Sequence, residues 1–204
     1  MPIRAGLTCL EIRLELFVKF KLAVIDPPWN WKAYSKKGDG KAPPYERMDD
    51  ALYELDIKPI LEKDAVVMLW VIDSMLPEAM ELVKKWGLDF RTVGFYWTKE
   101  RPSGAEHMGT GYYTRANPEQ CWLLRQGRGI PRISASVRRW LHAPVGRHSA
   151  KPEAFYERLE ALFGDVPRVD IFARVARNGW TTVGNEIDGE DIFDAIASLA
   201  AKEE

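Results

Sequence analysis

Apolar and polar positions alternate along residues 10–18 (LEIRLELFV), a period of two that predicts an edge strand. Residues 20–25 (FKLAVI) form a short apolar run of the kind that makes a buried strand. That run stops at Asp26. Residues 27–48 contain four prolines and two glycines and predict a long loop, with a short helix near 49–57 after it. A second buried strand is expected at 65–71 (AVVMLWV), then a helix over 76–86 that Ser74 caps and Gly87 ends. Strands are expected at 90–98, at 120–124 and, shorter, at 137–141, with a glycine-bearing loop over 99–118. A helix over 152–163 opens on Pro152 and stops at Gly164. Strands at 168–172 and 180–184 and a terminal helix from Glu190 complete the pattern.

Strands alternating with helices predict an α/β fold with a mostly parallel central sheet flanked by helices. Ligands of such sheets bind beyond the carboxyl ends of the strands, where Asp26, Lys99 and Arg174 fall. A length of 204 residues with 46% hydrophobic and 29% charged residues fits one domain over residues 1–204. Charges interrupt the N-terminal apolar segment, and no run is long enough to span a membrane. Cys9 and Cys121 are the only cysteines, so a soluble protein of a reducing, cytoplasmic compartment is expected, with both thiols buried. His107, His142 and His148 lack metal-ligand spacing, and no metal is expected. The chain has no Gly-x-Gly-x-x-Gly or Walker string, which removes the usual support for a dinucleotide enzyme or an NTPase.

The net charge of −1 decides nothing about partners, but its distribution is uneven. Residues 121–152 contain no Asp or Glu and carry Arg125, Arg128, Arg132, Arg138, Arg139, Arg147 and Lys151. This stretch is either a phosphate-facing surface or a solvated face balanced elsewhere. The same alternatives hold for Lys32, Lys36, Lys37 and Lys41 in the first loop. Trp70, Trp86 and Trp122 sit at strand or helix positions and are expected in the core, with Phe155, Leu159 and Phe163.

The chemistry is carried by Asp26-Pro27-Pro28-Trp29, which closes a buried strand and opens a long loop. Proline has no N–H, so the segment offers carboxylate and carbonyl acceptors with almost no competing donors, a corner suited to an amine. Pro28 biases Pro27 toward extended backbone and so helps to fix the direction of its carbonyl. The exocyclic amine of adenine is a poor nucleophile because its lone pair is delocalised into the ring. If Asp26 accepts one N–H and the Pro27 carbonyl the other, the nitrogen is drawn toward tetrahedral geometry with its lone pair aimed at a sulfonium methyl. Trp29 offers a flat face on which an extruded base can stack. The bland alternative is an Asp-Pro turn at a strand end with a tryptophan tucked beneath it.

From LAVIDPPW onward the chain resembles the DPPW-signature N6-adenine methyltransferases. That family includes the catalytic subunit of the eukaryotic messenger-RNA N6-adenosine methyltransferase and many bacterial and phage relatives. The resemblance runs through PPYERM, MLWV, FYWTK, GYYTRANPEQC, HSAKPE, DIFAR and WTTVGNEIDG in order, over most of the chain. It implies a Rossmann-like fold that uses S-adenosylmethionine, with the catalytic strand preceding the cofactor-binding strand. By position, it implies that Asp26 and Pro27 hold the target amine and that Asp26 also lies near the cofactor. It further implies that Tyr45 and Glu119 line the acceptor pocket, with Lys99 counted to the substrate side. Lys151 falls between cofactor and acceptor, Phe172 and Arg174 end the cofactor strand, and Asn185 and Glu186 meet the cofactor ribose. Between Arg174 and Trp180 the chain departs from the eukaryotic pattern, with Ala176, Arg177 and Asn178 in place of a His-Asn pair; Leu10 and Glu11 are weak matches for an adenine site.

Three functions follow as expectations: a DNA adenine methyltransferase, an RNA adenine methyltransferase, or a non-catalytic partner subunit that binds nucleic acid. DNA is preferred by analogy with compact bacterial and phage members. Recognition would fall to loops 30–48 and 99–118 and to the basic stretch, with a homodimer or a partner subunit compatible with this arrangement.

Overall fold

The computed structural model describes residues 19–29, 51–109, 111–146 and 150–201. The expected strand at 10–18, the loop at 30–48 with its lysines, Cys9, Leu10, Glu11, Tyr45, Arg147 and His148 lie outside the described residues. In chain order the elements are β1 (Phe20–Ile25), α1 (Ala51–Glu54), β2 (Leu61–Val71), α2 (Leu76–Lys85), β3 (Asp89–Glu100), β4 (Glu119–Gln126), β5 (Trp140–Pro144), α3 (Glu153–Phe163), β6 (Arg168–Ile171), β7 (Thr181–Val183) and α4 (Ile192–Ala201). Short 3-10 turns at Lys58–Ile60 and Asp73–Met75 lead into β2 and α2.

The seven strands form one sheet in the order β5-β3-β4-β2-β1-β6-β7. It is mostly parallel, as expected; β4 alone runs antiparallel to its neighbours β2 and β3. A parallel neighbour needs a crossover, usually helical, whereas the connection from β3 to β4 is a glycine-bearing loop that simply turns back. The antiparallel strand therefore begins at the edge where the parallel strands finish, and places Glu119 beside Trp97 in the register.

Strand alternation splits the apolar residues between two cores. Ala23, Ile25, Val67, Leu69, Val169 and Ile171 face one side, with Leu82 of α2, Trp86 just after that helix and Ile192 of α4. Leu22, Val24, Val66, Met68, Trp70, Phe95, Trp97 and Cys121 face the other, beneath Phe155, Leu159 and Phe163 of α3. The expected core tryptophans Trp70, Trp86 and Trp122 are all buried, and so is Cys121.

Local differences from the sequence pattern have local causes. Ser74 does not cap α2: it lies in the 3-10 turn, and Met75 occupies the cap position without a side-chain bond. Gly87 does end that helix, at φ 60°, with its N–H on the Lys84 carbonyl. Pro152 is the cap residue of α3, in extended backbone, and not its first helical residue. The strand expected at 137–141 begins only at Trp140. β6 stops one residue early because Phe172 turns into the left-handed region at φ 63°. Among the described residues no helix is long and apolar enough to cross a membrane.

Candidate active site

Period-two alternation fixes which side chains meet at the carboxyl edge of the sheet. Asp26 continues the parity of Leu22 and Val24, Lys99 that of Phe95 and Trp97, and Glu119 that of Cys121, so all three project on the α3 face. Lys151, just before α3, reaches down between them. Its ammonium lies 2.7 Å from Asp26 Oδ2 and 3.2 Å from Glu119 Oε2, and Glu119 Oε1 lies 2.5 Å from Lys99 Nζ. The result is a row of alternating charge: Asp26, Lys151, Glu119, Lys99. The Lys151 side chain is only 5% exposed and stands 5.1 Å over the buried Trp70 ring.

The row is strongly coupled. Burial pushes the Glu119 carboxyl up, but the ammonium groups of Lys151 and Lys99 overcome it and hold it at about 2. Burial likewise pushes the Lys151 ammonium down, and Asp26 and Glu119 override that and raise it above the ordinary lysine range. Both groups are therefore charged at neutral pH. Lys151 occupies one oxygen of Asp26, while no hydrogen bond is formed by Oδ1 among the described residues.

The corner itself presents acceptors only. The Asp26 N–H points to the Ile171 carbonyl at 3.4 Å, Pro27 and Pro28 have none, and the Trp29 N–H donates to the Pro27 carbonyl at 2.8 Å. That last bond spans Pro28 in a three-residue turn. It fixes the Pro27 carbonyl and still leaves its second lone pair.

Trp29 requires a correction. Its indole is 6% exposed, packs in the core with Ile25 and Leu69, and donates from Nε1 to the Trp70 carbonyl at 2.9 Å. It anchors the motif from below and offers no free face to a base. Of the expected catalytic set, Asp26 stands in the charge row and lines the cleft, Pro27 is buried with its carbonyl in the turn, Pro28 lies within that turn, and Trp29 holds it down.

On the other flank of Asp26 a small, open cleft is lined by Lys151, Asp170, Phe172, Arg174 and Arg177. Phe172 and Arg174, expected at the cofactor, both line this cleft. Asn185 and Glu186 are exposed in the turn after β7, outside this cleft but at the same edge, because β7 pairs with β6 through Ile171 and Val183. A Cβ on Gly184 would lie 2.5 Å from the Ala173 carbonyl oxygen and 2.9 Å from its nitrogen, so this glycine lets the two strand ends touch.

Sequence reasoning missed three residues. Asp170 alternates with Val169 and Ile171, so it faces the α3 side; it is 3% exposed and accepts from the Tyr156 hydroxyl at 2.8 Å. A charged residue inside a four-residue strand buried on both faces was the available signal. Arg177 replaces the family's His-Asn segment, lies 3.4 Å over the Tyr156 ring and pairs with Glu153 at 3.1 Å. Asn117 clasps β3, its Oδ1 accepting the Lys99 N–H at 2.6 Å and its Nδ2 donating to the Lys99 carbonyl at 3.1 Å.

Burial raises the Asp170 carboxyl to about 7, against the lowering effect of the Tyr156 hydroxyl and Arg177. A raised acid favours the folded state most below its unfolded value near 3.8, and that contribution is lost as pH rises toward 7. Asp170→Asn is accordingly expected to raise the melting temperature at pH 8 and to leave it nearly unchanged at pH 4. Equal shifts at both pH values would show that Asp170 folds charged.

The acid-free stretch is not one surface. Arg125 and Arg128 lie at the far end of β4 from Glu119 and pair with Asp89 at 3.0 Å and Asp64 at 2.9 Å. Arg138 and Arg139 precede β5, where the Arg139 carbonyl accepts the Tyr96 N–H at 3.1 Å, and Lys151 is buried in the charge row.

The MT-A70 family model matches residues 20–186. A type II methyltransferase, M.MunI, of Mycoplasma sp. is 28% identical over 142 residues, covering 69% of this chain and 58% of that protein. The human N(6)-adenosine-methyltransferase catalytic subunit METTL3 is 26% identical over 202 residues, 91% of this chain and 32% of that protein. The N6-methyladenosine RNA methyltransferase MTA1 of Cryphonectria parasitica is 29% identical over 180 residues, 82% of this chain and 52% of that protein. The chain spans between a third and three fifths of the length of these relatives.

Proposed function

The chain belongs to the MT-A70 family, and on that premise we propose that it transfers the methyl group of S-adenosylmethionine to the N6 amine of adenine in nucleic acid, with DNA as the preferred acceptor. The observation that carries this reading is the corner at Asp26. One carboxylate oxygen is held by Lys151, the other forms no hydrogen bond among the described residues, and the neighbouring carbonyl of Pro27 is fixed by its own turn.

The lining of the cleft suits the methyl donor. Asp26 and Asp170 suit its cationic ammonium and sulfonium, Arg177 and Lys151 suit its carboxylate, and the Nε of Arg177 is buried without a hydrogen bond. When bound, S-adenosylmethionine supplies an electrophilic methyl on a positively charged sulfur. Asp26 Oδ1 and the Pro27 carbonyl accept the two N–H groups of adenine and turn the nitrogen lone pair out of the ring system. With the donor bound, Asp26 would take the proton shed by the adenine nitrogen on methylation. Lys151 and Glu119 hold Asp26 in place throughout, and Lys99 closes the row on the acceptor side.

The preference for DNA rests on analogy with compact bacterial members such as the type II methyltransferase; the RNA methyltransferase MTA1 is matched over a similar share of its length, 52% against 58%. A tritiated-methyl assay on single- and double-stranded DNA and RNA, with the product base identified by mass spectrometry, tests both levels. N6-methyladenine in DNA is the expected product; RNA alone as acceptor would move the substrate, and no adenine product would remove the activity. Gly184→Ala is expected to weaken S-adenosylmethionine binding about tenfold in calorimetry, since its methyl must push the 172–173 backbone away from the cleft. Unchanged affinity would show that this contact is remote from the donor.

A further inference from the structure

The loop between β3 and β4 is built to hold a shape. The Arg101 N–H bonds the Ala105 carbonyl and the Gly104 N–H the Arg101 carbonyl, both at 2.8 Å, and the His107 N–H returns to the Lys99 carbonyl at 3.1 Å. Asn117, 8% exposed, ties the far end of the loop to the Lys99 backbone and to Glu106. A Cβ on Gly109 would sit 2.6 Å from the Ala116 carbonyl, so only glycine lets the two arms come this close. At the apex Tyr113 is held at φ 62°, a conformation unfavourable for a bulky residue. It is 95% exposed, and Tyr112, 62% exposed, packs edge-on against it with ring centroids 4.7 Å apart.

Strain at Tyr113 that holds its ring out at the surface, backed by Tyr112, calls for a ligand with flat faces. The loop starts at Lys99 and ends at Glu119, the acceptor end of the charge row, so its apex belongs to the substrate side of Asp26. Exposed Arg101 and Arg115 flank it. Aromatic rings interleaved with arginines form the usual platform for unstacked bases. We propose that Tyr112 and Tyr113 stack on the bases that flank the target adenine and hold the strand open around it. This takes over the stacking part that Trp29, buried in the core, cannot play, and it rests on the reading of the chain as an enzyme of nucleic-acid adenine.

The test is fluorescence anisotropy of the full chain with a fluorescein-labelled single DNA strand of about 15 nucleotides containing one adenine, without methyl donor. Tyr113→Ala and Tyr112→Ala are each expected to weaken binding about 5-fold or more, Tyr113→Phe to stay within about 2-fold of wild type, and the salt dependence to keep its slope because no phosphate contact is lost. Wild-type affinity in Tyr113→Ala, or no binding by the wild-type chain, overturns the proposal. So does a Tyr113→Ala variant that binds the strand normally but changes from dimer to monomer in sedimentation, which would give the tyrosines to a second copy of the chain. The two readings fail separately. Tyrosine-dependent binding without any methylated adenine removes the enzymatic reading and leaves the platform, whereas methylation with an unchanged Kd and KM in Tyr113→Ala does the reverse.

Discussion

Methyl transfer to adenine is expected to fall about 10^3-fold or more in Asp26→Asn, while the protein melts within a few degrees of wild type. Removing a single preorganised hydrogen-bonding group from a transition state costs about 10^2 to 10^3 in rate, and here an acceptor is also exchanged for a donor that faces the amine. The asparagine still fills the same space, and its remaining oxygen can accept from Lys151. The stability effect is small because Glu119 continues to compensate the Lys151 charge at 3.2 Å. Rate by tritium incorporation and melting by circular dichroism read the two parts independently. Turnover above a tenth of wild type would mean that Asp26 does not orient the nucleophile.

Lys151→Met is expected to damage both folding and activity. It leaves Asp26 and Glu119 at 17% and 14% exposure without their shared counter-ion, and breaking a buried pair in this way costs about 3–5 kcal/mol. For a chain of this length that lowers the melting temperature by roughly 10 °C. The loss should depend on pH. With its folded value near 2 and its unfolded value at 4.5, Glu119 stabilises the fold fully above pH 4.5 and loses that contribution as pH falls toward 2. The difference between wild type and variant therefore shrinks in acid. Asp26→Asn placed on top of Lys151→Met should recover part of the stability by removing the stranded charge, since Glu119 keeps Lys99 at 2.5 Å. A pH-independent loss, or no recovery in the double variant, would show that Lys151 acts through packing on Trp70 and not through its charge.

Much of the fold could be read in the sequence because buried parallel strands are short apolar runs and their helices carry clear stops. Gly87 and Gly164 end α2 and α3 at positive φ, where other residues would be strained. The direction of β4 could not be read from periodicity, since alternation looks the same whichever way a strand runs. Only the 99–118 connection, with its glycines, carried that signal. At the site, Asp26 could be read from its place at a strand end, while Lys151 and Glu119 came through family resemblance, since nothing local says that residues 125 positions apart will pair.

The errors have a common source in tertiary placement. Trp29 was given a stacking role because its ring is flat; which way the ring points was decided by a cavity among Ile25, Leu69 and Leu52 and by the Trp70 carbonyl. For the run of arginines from 121 to 152 the sequence leaves a phosphate-facing surface and a face balanced elsewhere as alternatives. Arg125 and Arg128 follow the second, since Asp89 and Asp64, distant in sequence, neutralise them at the end of β4 away from Glu119. Asp170 was passed over inside an ordinary strand, although a carboxylate only 3% exposed there must find its partners within the protein.

The most direct measurement is a crystal structure of the chain with a bisubstrate analogue in which the N6 nitrogen of adenosine is covalently joined to the methyl-donor portion of S-adenosylmethionine. The expected result places N6 within hydrogen-bonding distance of Asp26 Oδ1 and the Pro27 carbonyl, with Lys151 still on Oδ2 and the donor portion between Asp26 and Arg174. An analogue bound with its nitrogen away from both acceptors, or a Pro27 carbonyl turned into the protein, would contradict the mechanism.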